Sequence, residues 1–283
     1  MNSMTYAIKL GTDPEVFLKD AAGAFVSAHD LIPGSKFDPH IVNLGAIQPD
    51  GVAAEFNTAP AETADEFLTN IETVMVQLEQ QFKSIRPDLM IAITPTATFD
   101  KDYFDGLPQH AVELGCTPDF NAYTMDANTP PETTEPFRTG AGHIHVGWGE
   151  GFLRADYEHY ELCCDVVKQL DSVLYVASLL WDNDNKRRTL YGKLGAFRPK
   201  SYGVEYRPLS NSYLQSKDIQ RYVFNTTKTL VDLLLNQGIK IFEDATVQDM
   251  IAKIQADVPI TTVELVAHLI YIEDKYGVQS YVG

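Results

Sequence analysis

The sequence predicts an α+β fold. Strand-like segments dominate the first half and helical segments the second, without the βαβ alternation of a parallel sheet. In the strand-like text, acids, imidazoles and guanidinium groups recur at i and i+2, a spacing that places them on one face of a strand. In the helical text, apolar residues recur with a period near 3.6.

The elements follow in order. "YAIKLGTDPEVFL" and "GAFVSA" flank the turn-like "KDAAG" and predict a hairpin. "IVNLGAIQPDGVAAEFNTAP" predicts two short strands around Pro49-Asp50-Gly51. Thr63 and Glu66 have the spacing of a capping box. Behind it, Phe67, Ile71, Met75, Leu78, Phe82 and Ile85 form a helical stripe that ends at Pro87. "LMIAITPTATF" is expected to be one strand. Residues 106–136, rich in Pro, Thr, Asp and Asn, are expected to form a long loop, a kind of segment that is often functional. After a Gly-rich strand at "RTGAGHIHVGWG", residues 154–181 predict one long buried helix. "NDNKRRTLYGKLGAFRPKSYG" is expected to be irregular, and "VEYRPLSNSYL" to be a strand entering a turn. From Lys217 onward three helical runs follow. The 283 residues are expected to form one domain, with a helical portion from about residue 216.

Composition narrows the function. A formal net charge of −17 argues against a nucleic-acid surface, which needs Lys and Arg to neutralise phosphates, and is compatible with cation binding. No apolar run reaches the roughly 18 residues of a membrane span. The first residues carry no basic stretch followed by an apolar one, as a secretory signal would. The three cysteines, Cys116, Cys163 and Cys164, have no CxxC spacing, so neither a disulfide framework nor a thiolate zinc site is expected. A reducing cytosol fits this best.

Four constellations carry chemistry. In "GTDPEVFL", Asp13 and Glu15 share a strand face and repel each other unless a cation lies between them; the plainer reading is a turn with a solvated Glu15. In "DGVAAEFN", Glu55 and Asn57 either offer oxygen ligands to a hard cation such as Mg²⁺ or belong to an edge facing water. His143 and His145 are metal-ligand types, although one ring of such a pair is often structural. Gly140, Gly142 and Gly147 allow a ligand to approach the backbone closely. Lastly, Glu205 and Arg207 share a face, with Arg198 and Lys200 just upstream. They suit an anionic group held beside a metal, or else make a structural ion pair. Arg187 and Arg188 have the pattern of a solvated charge pair at a helix end.

The order acid-x-acid, H-x-H, E-x-R resembles the catalytic half of the glutamine synthetase-like carboxylate–amine ligases. In detail "GTDPEVFL", "DGVAAEFN", "GCTPDFNAY", "RTGAGHIHVG" and "YGKLGAFRPKSYGVEYRPLSN" resemble the phage-type COOH–NH2 ligases, the phiEco32-like amidoligases, over roughly residues 11–214. The resemblance implies a curved, largely antiparallel sheet with helices on its outer face and the charged residues on its inner face. It implies an enzyme in which ATP phosphorylates a carboxylate and an amine displaces phosphate from the acyl phosphate. Carried over residue by residue, Glu15, Glu55, His143 and Glu205 would hold Mg²⁺, with Asp13 at an acid position where Glu is common. His145 would face substrate or phosphate. Arg198 and Arg207 would grip the phosphoryl group, with Lys200 beside them and Arg188 as a further helper. Its partners would be small molecules or peptides bearing a carboxylate and an amine, with neither nucleic acid nor membrane involved, and its location the cytoplasm of a bacterial or phage-infected cell. The loop after Cys116 would shape the acceptor pocket. Two other classes remain: a metal-dependent hydrolase using H-x-H, which would draw further histidines from later strands, and a non-enzymatic structural protein.

Overall fold

The computed structural model describes residues 5–112, 119–129, 135–153 and 156–281. Strand β1 (Lys9–Lys19) turns through Asp20–Ala24 into β2 (Phe25–Val26), the expected hairpin. A small strand β3 (His40–Val42) precedes β4 (Gly45–Asp50) and β5 (Ala53–Thr58), which pair across the turn at Gly51. Helix α1 (Ala64–Ile85) opens with the expected capping box: Thr63 accepts from Glu66 N, and Glu66 accepts from Thr63 N. Its buried stripe also takes in Leu68 and Val74, whereas Ile85, expected within it, is exposed in the last turn.

The single strand expected at "LMIAITPTATF" is two. Strand β6 (Met90–Ala92) pairs with β1, and β7 (Thr96–Thr98) belongs to a separate two-stranded sheet. Pro95 lies between them, and a residue without an N–H cannot continue a ladder. The stretch expected to be a long loop contains α2 (Lys101–Asp105), α3 (Gln109–Val112) and β8 (Phe120–Asn121); Cys116 and part of that stretch lie outside the described residues. Strand β9 (Phe137–Thr139) pairs with β7, and β10 (Gly142–Gly147) carries both histidines.

The long helix runs from α4 (Tyr157–Leu170) through a π-helical turn at Asp171–Tyr175 into α5 (Val176–Trp181). The segment expected to be irregular contains α6 (Asn185–Leu190) and β11 (Ala196–Lys200). The N-cap of α6 is Asp184, which accepts from Arg187 N; the run is too short to show a helical period. Strand β12 (Gly203–Tyr206) is followed by the three expected helices, α7 (Lys217–Leu235), α8 (Ala245–Gln255) and α9 (Thr262–Tyr276).

Among the described residues every strand pair is antiparallel, and the main sheet follows the order β3-β4-β5-β1-β10-β12-β11-β8, with β2 and β6 also paired to β1. One face is apolar. Leu10, Val16, Leu18, Phe56, Ile144, Val146, Val204 and Tyr206 point into a core closed by α1, α4 and α7. Alternation then turns Asp13, Glu15, Glu55, His143, His145 and Glu205 to the other face. The fold is α+β with a largely antiparallel sheet, as the sequence predicts. No described helix is long and apolar enough to cross a membrane, and Cys163 and Cys164 are free and buried beneath the sheet.

Candidate active site

Five neighbouring strands bring the charged residues into one row. Across the sheet, Glu55 on β5 faces Glu15 on β1, and Asp13 on β1 faces His143 on β10. His145 on β10 then faces Glu205 on β12, which faces Arg198 on β11. This face forms the floor of a cavity of about 280 Å³, which Lys200 and Arg207 also line. Asp13 and Glu205, 192 positions apart in sequence, thus meet because antiparallel register holds them on one face.

Asp13 is the hinge of the row. One carboxylate oxygen lies 3.2 Å from His143 Nδ1 and the other 3.0 Å from His145 Nε2. Burial opposes its ionisation, but the two imidazoles outweigh burial and hold it well below the usual carboxylate range. His145 also hydrogen-bonds through Nδ1 to the Tyr202 hydroxyl. Burial lowers the His143 pKa to about 4, the Arg207 guanidinium adding to the effect. His145 moves the other way: Asp13 and Glu205 overcome its burial and raise it.

Glu205, 1% exposed, sits under three cations. Lys200 Nζ is 2.5 Å and Arg198 Nη1 3.5 Å from its carboxylate, and Arg207 Nη1 donates to it. Burial resists its ionisation; Arg207 and the histidines prevail and keep it ionised. Arg207 is itself braced by Asp119, 3.1 Å from its Nε. At the other end of the row the acids lack such relief. Burial pushes Glu15 to about 7, assisted by Asp50, although its carboxylate accepts from Ala141 N. Burial, with Asp13, Asp50 and Glu15, pushes Glu55 well above the usual carboxylate range, while Gln48 Nε2 donates to it at 2.9 Å. The cleft therefore has an acid-rich end and a cation-rich end, with two imidazoles between them.

Single oxygen or nitrogen atoms of Asp13, His145 and Glu205 lie within 4.8 Å of one another, close enough for one cation to be shared. His145, which the resemblance assigns to substrate or phosphate, is thus one of three residues whose ligand atoms come together, and Glu15 and Glu55 line the same cleft. A second cavity, about 790 Å³, adjoins the first; Asp13, Gln48, Lys36 and Glu55 line both, and Lys9, His145, Trp148 and Tyr202 line the second.

Some sequence expectations change. Arg188 is not brought into the row. Its guanidinium donates to the Asp182 carbonyl and lies 3.5 Å from the Asp182 carboxylate. Nor do Arg187 and Arg188 form a solvated pair, since Arg187 is 1% exposed and donates to Pro208 O at 2.7 Å and to Arg207 O at 3.4 Å. Gly140 and Gly142 make room for protein rather than ligand. A Cβ on Gly142 would lie 2.2 Å from Ser210 O, and one on Gly140 2.5 Å from Asn211 Nδ2. His159 and His268 lie on the helical side, where each ring meets a backbone carbonyl, of Lys200 and Ser172 respectively. Neither lines the cleft, as a hydrolase drawing on later histidines would require.

Sequence reasoning missed Gln48, Asp50, Asp119, Lys36 and the buried Arg187. Gln48 and Asp50 carry the same i, i+2 signal as Glu55 and Asn57, hidden because Asp50 suggests only a turn. Asp119 lies within "GCTPDFNAY". Lys36 and Arg187 stand in text without periodicity.

The fold and cleft define an α+β protein with an acid–imidazole–guanidinium row on one sheet face. Residues 131–250 match the family model described as phage phiEco32-like COOH.NH2 ligase-type 2, the family that the sequence motifs resemble. The match covers β9, β10, β11 and β12, hence His143, His145, Arg198, Lys200, Glu205 and Arg207. No curated protein matches the chain significantly.

Proposed function

We propose that the protein is an ATP- and Mg²⁺-dependent carboxylate–amine ligase that forms an amide through an acyl phosphate. The observation that carries this is the division of one cleft into an acid end, on β1, β4 and β5, and a cation end, Arg198, Lys200 and Arg207, within the matched residues. A phosphoryl-transfer site must neutralise crowded phosphate oxygens and align attacking and leaving groups, and these two ends suit both tasks.

The donor set fits the metal: Asp13, Glu15, Glu55 and Glu205 are hard oxygen ligands for Mg²⁺, and His143 and His145 stand among them. A bound divalent ion would supply neutralisation of phosphate charge. Arg198, Lys200 and Arg207 hold anionic oxygens, the guanidinium groups through paired N–H donors. Arg207 needs Asp119 and Glu205 to fix its plane. The larger cavity beyond His145 and Tyr202 has room for the body of one substrate. The resemblance to glutamine synthetase-like enzymes supports the same reading; the carboxylate and amine are small-molecule or peptide groups.

Calorimetric titration with a non-hydrolysable ATP analogue tests this, run beside a phosphate-release assay over amino acids and peptides. Binding is expected to require Mg²⁺ and to disappear with chelator. Glu205→Gln and Arg207→Ala are expected to lower turnover on the order of 10²-fold or more. Binding that ignores chelator, or no binding at millimolar nucleotide, would exclude the ligase reading.

A further inference from the structure

A second group of metal-ligand side chains lies outside the row just described. His29 and His110 are 81 positions apart, yet their Nε2 atoms are 3.2 Å apart and their rings meet edge to face at 4.5 Å and 74°. Asp30 Oδ1 lies 3.4 Å from the same His29 Nε2. Two ligands of a tetrahedral ion with bonds of about 2.0–2.1 Å are separated by about 3.3–3.4 Å. Both measured separations lie close to that edge; the third, between Asp30 and His110, is longer than 4.8 Å, so the Asp30 carboxylate has to turn toward His110 to complete the set.

The surroundings suit a built site. The backbone at His29 is held: Ser27 Oγ accepts from His29 N, Ser27 N donates to the Tyr103 hydroxyl, and Ala28 N donates to Val52 O. Asp30 takes a left-handed backbone, φ 62°, that Asp tolerates better than most residues. Its carboxylate is 85% exposed and free to swing toward His110, while the His29 side chain is only 19% exposed. Imidazole and carboxylate together select borderline transition ions such as Zn²⁺ over Mg²⁺.

We propose that His29, His110 and Asp30 bind a divalent transition-metal ion, with water completing the tetrahedron, at a site separate from the cleft. The ion joins the segment after β2 to α3. That segment also carries Lys36, which lines both cavities, so the ion restrains one wall of the cleft from outside. The competing account is a simple hydrogen bond between the two rings.

Zn²⁺ titration of the whole chain, followed by the ring-nitrogen NMR signals of labelled histidine, decides between them. The Nε2 signals of His29 and His110 are expected to move together to metal-bound positions, with one affinity. His110→Gln and His29→Gln should each weaken that affinity by about tenfold or more, and the double variant should add little to either. Neither substitution touches the cleft, so the signals of His143 and His145 serve as the internal control. The proposal fails if the two rings stay unmoved at millimolar Zn²⁺, or if His29 binds equally well in His110→Gln. Its failure leaves the ligase reading intact, because no step of that reading uses these residues.

Discussion

Glu15 and Glu55 face each other across β1 and β5, an arrangement that a sheet tolerates poorly when both are ionised. Burial first, then Asp50, raises Glu15 from 4.5 in the unfolded chain to about 7. Between those values the folded state binds a proton that the unfolded state has released. Stability therefore falls as pH rises from about 4.5 to about 7 and stays lowered above. Glu15→Gln keeps the acceptor for Ala141 N and removes the charge. Without metal it is expected to stabilise the protein at pH 8 by on the order of 1–3 kcal/mol and by much less at pH 5. Urea unfolding at the two pH values in chelator measures this; an equal effect at both would show that the charge is not strained. Such residues were legible because a strand has a period of two: Asp13 with Glu15, His143 with His145 and Glu205 with Arg207 all announce a shared face. Arg187 was not legible. Its role depends on Pro208 and Arg207 carbonyls that only the folded chain brings near it.

At the scale of elements, one carboxylate ties two helices. Asp244 caps α8 by accepting from Thr246 N at 2.8 Å and Val247 N at 3.4 Å. It also accepts from the hydroxyls of Tyr271 and Tyr276 and from Lys275, all in the last turns of α9. Burial works against its charge, yet Lys275 and the tyrosines hold its pKa well below the ordinary 3.8. The stabilisation is present above 3.8 and is lost as pH falls through the lower folded value. Asp244→Ala is expected to cost about 1 kcal/mol from the cap alone, with more from the lost α9 contacts. The deficit relative to the unaltered chain should shrink in acid, and denaturant titrations at pH 7 and pH 2.5 read it. Helices with caps and long stripes, α1 and α7 to α9, were legible in the sequence. The elements missed in the expected loops were short: α2, α3 and α6 have five, four and six residues and strand β8 has two, lengths that do not allow a period to appear.

For the molecule as a whole, the proposed Mg²⁺ site at the acid end of the cleft would link folding to cation binding. Four of its acids, Asp13, Glu15, Glu55 and Asp50, line one cavity in a chain of net charge −17. An ion bound only by the folded state adds about 2.7 kcal/mol at a hundred times its dissociation constant. For a chain of this size that is a rise in Tm of roughly 5 °C or more. Mg²⁺ is expected to give this rise at pH 8, less at pH 6 where Glu15 keeps its proton, and none with chelator. Differential scanning calorimetry at the two pH values measures it, and a larger rise at pH 6 would contradict the assignment of Glu15 to the metal.

The register of β10 has a further consequence, one for inheritance. His143 and His145 alternate with Ile144 and Val146, so function and solvent exclusion are written in interleaved positions of one six-residue word. Substitution changes one letter of it. Loss or gain of a single codon inside the word exchanges the two sets: imidazoles enter the oily side and branched aliphatics enter the cleft. A substitution therefore disturbs one position of the segment, whereas an in-frame length change turns every position after it to the other face, and the same holds for its neighbours β1 and β12. Divergence in length has to accumulate in the connections between strands, where adding a residue leaves every face as it was.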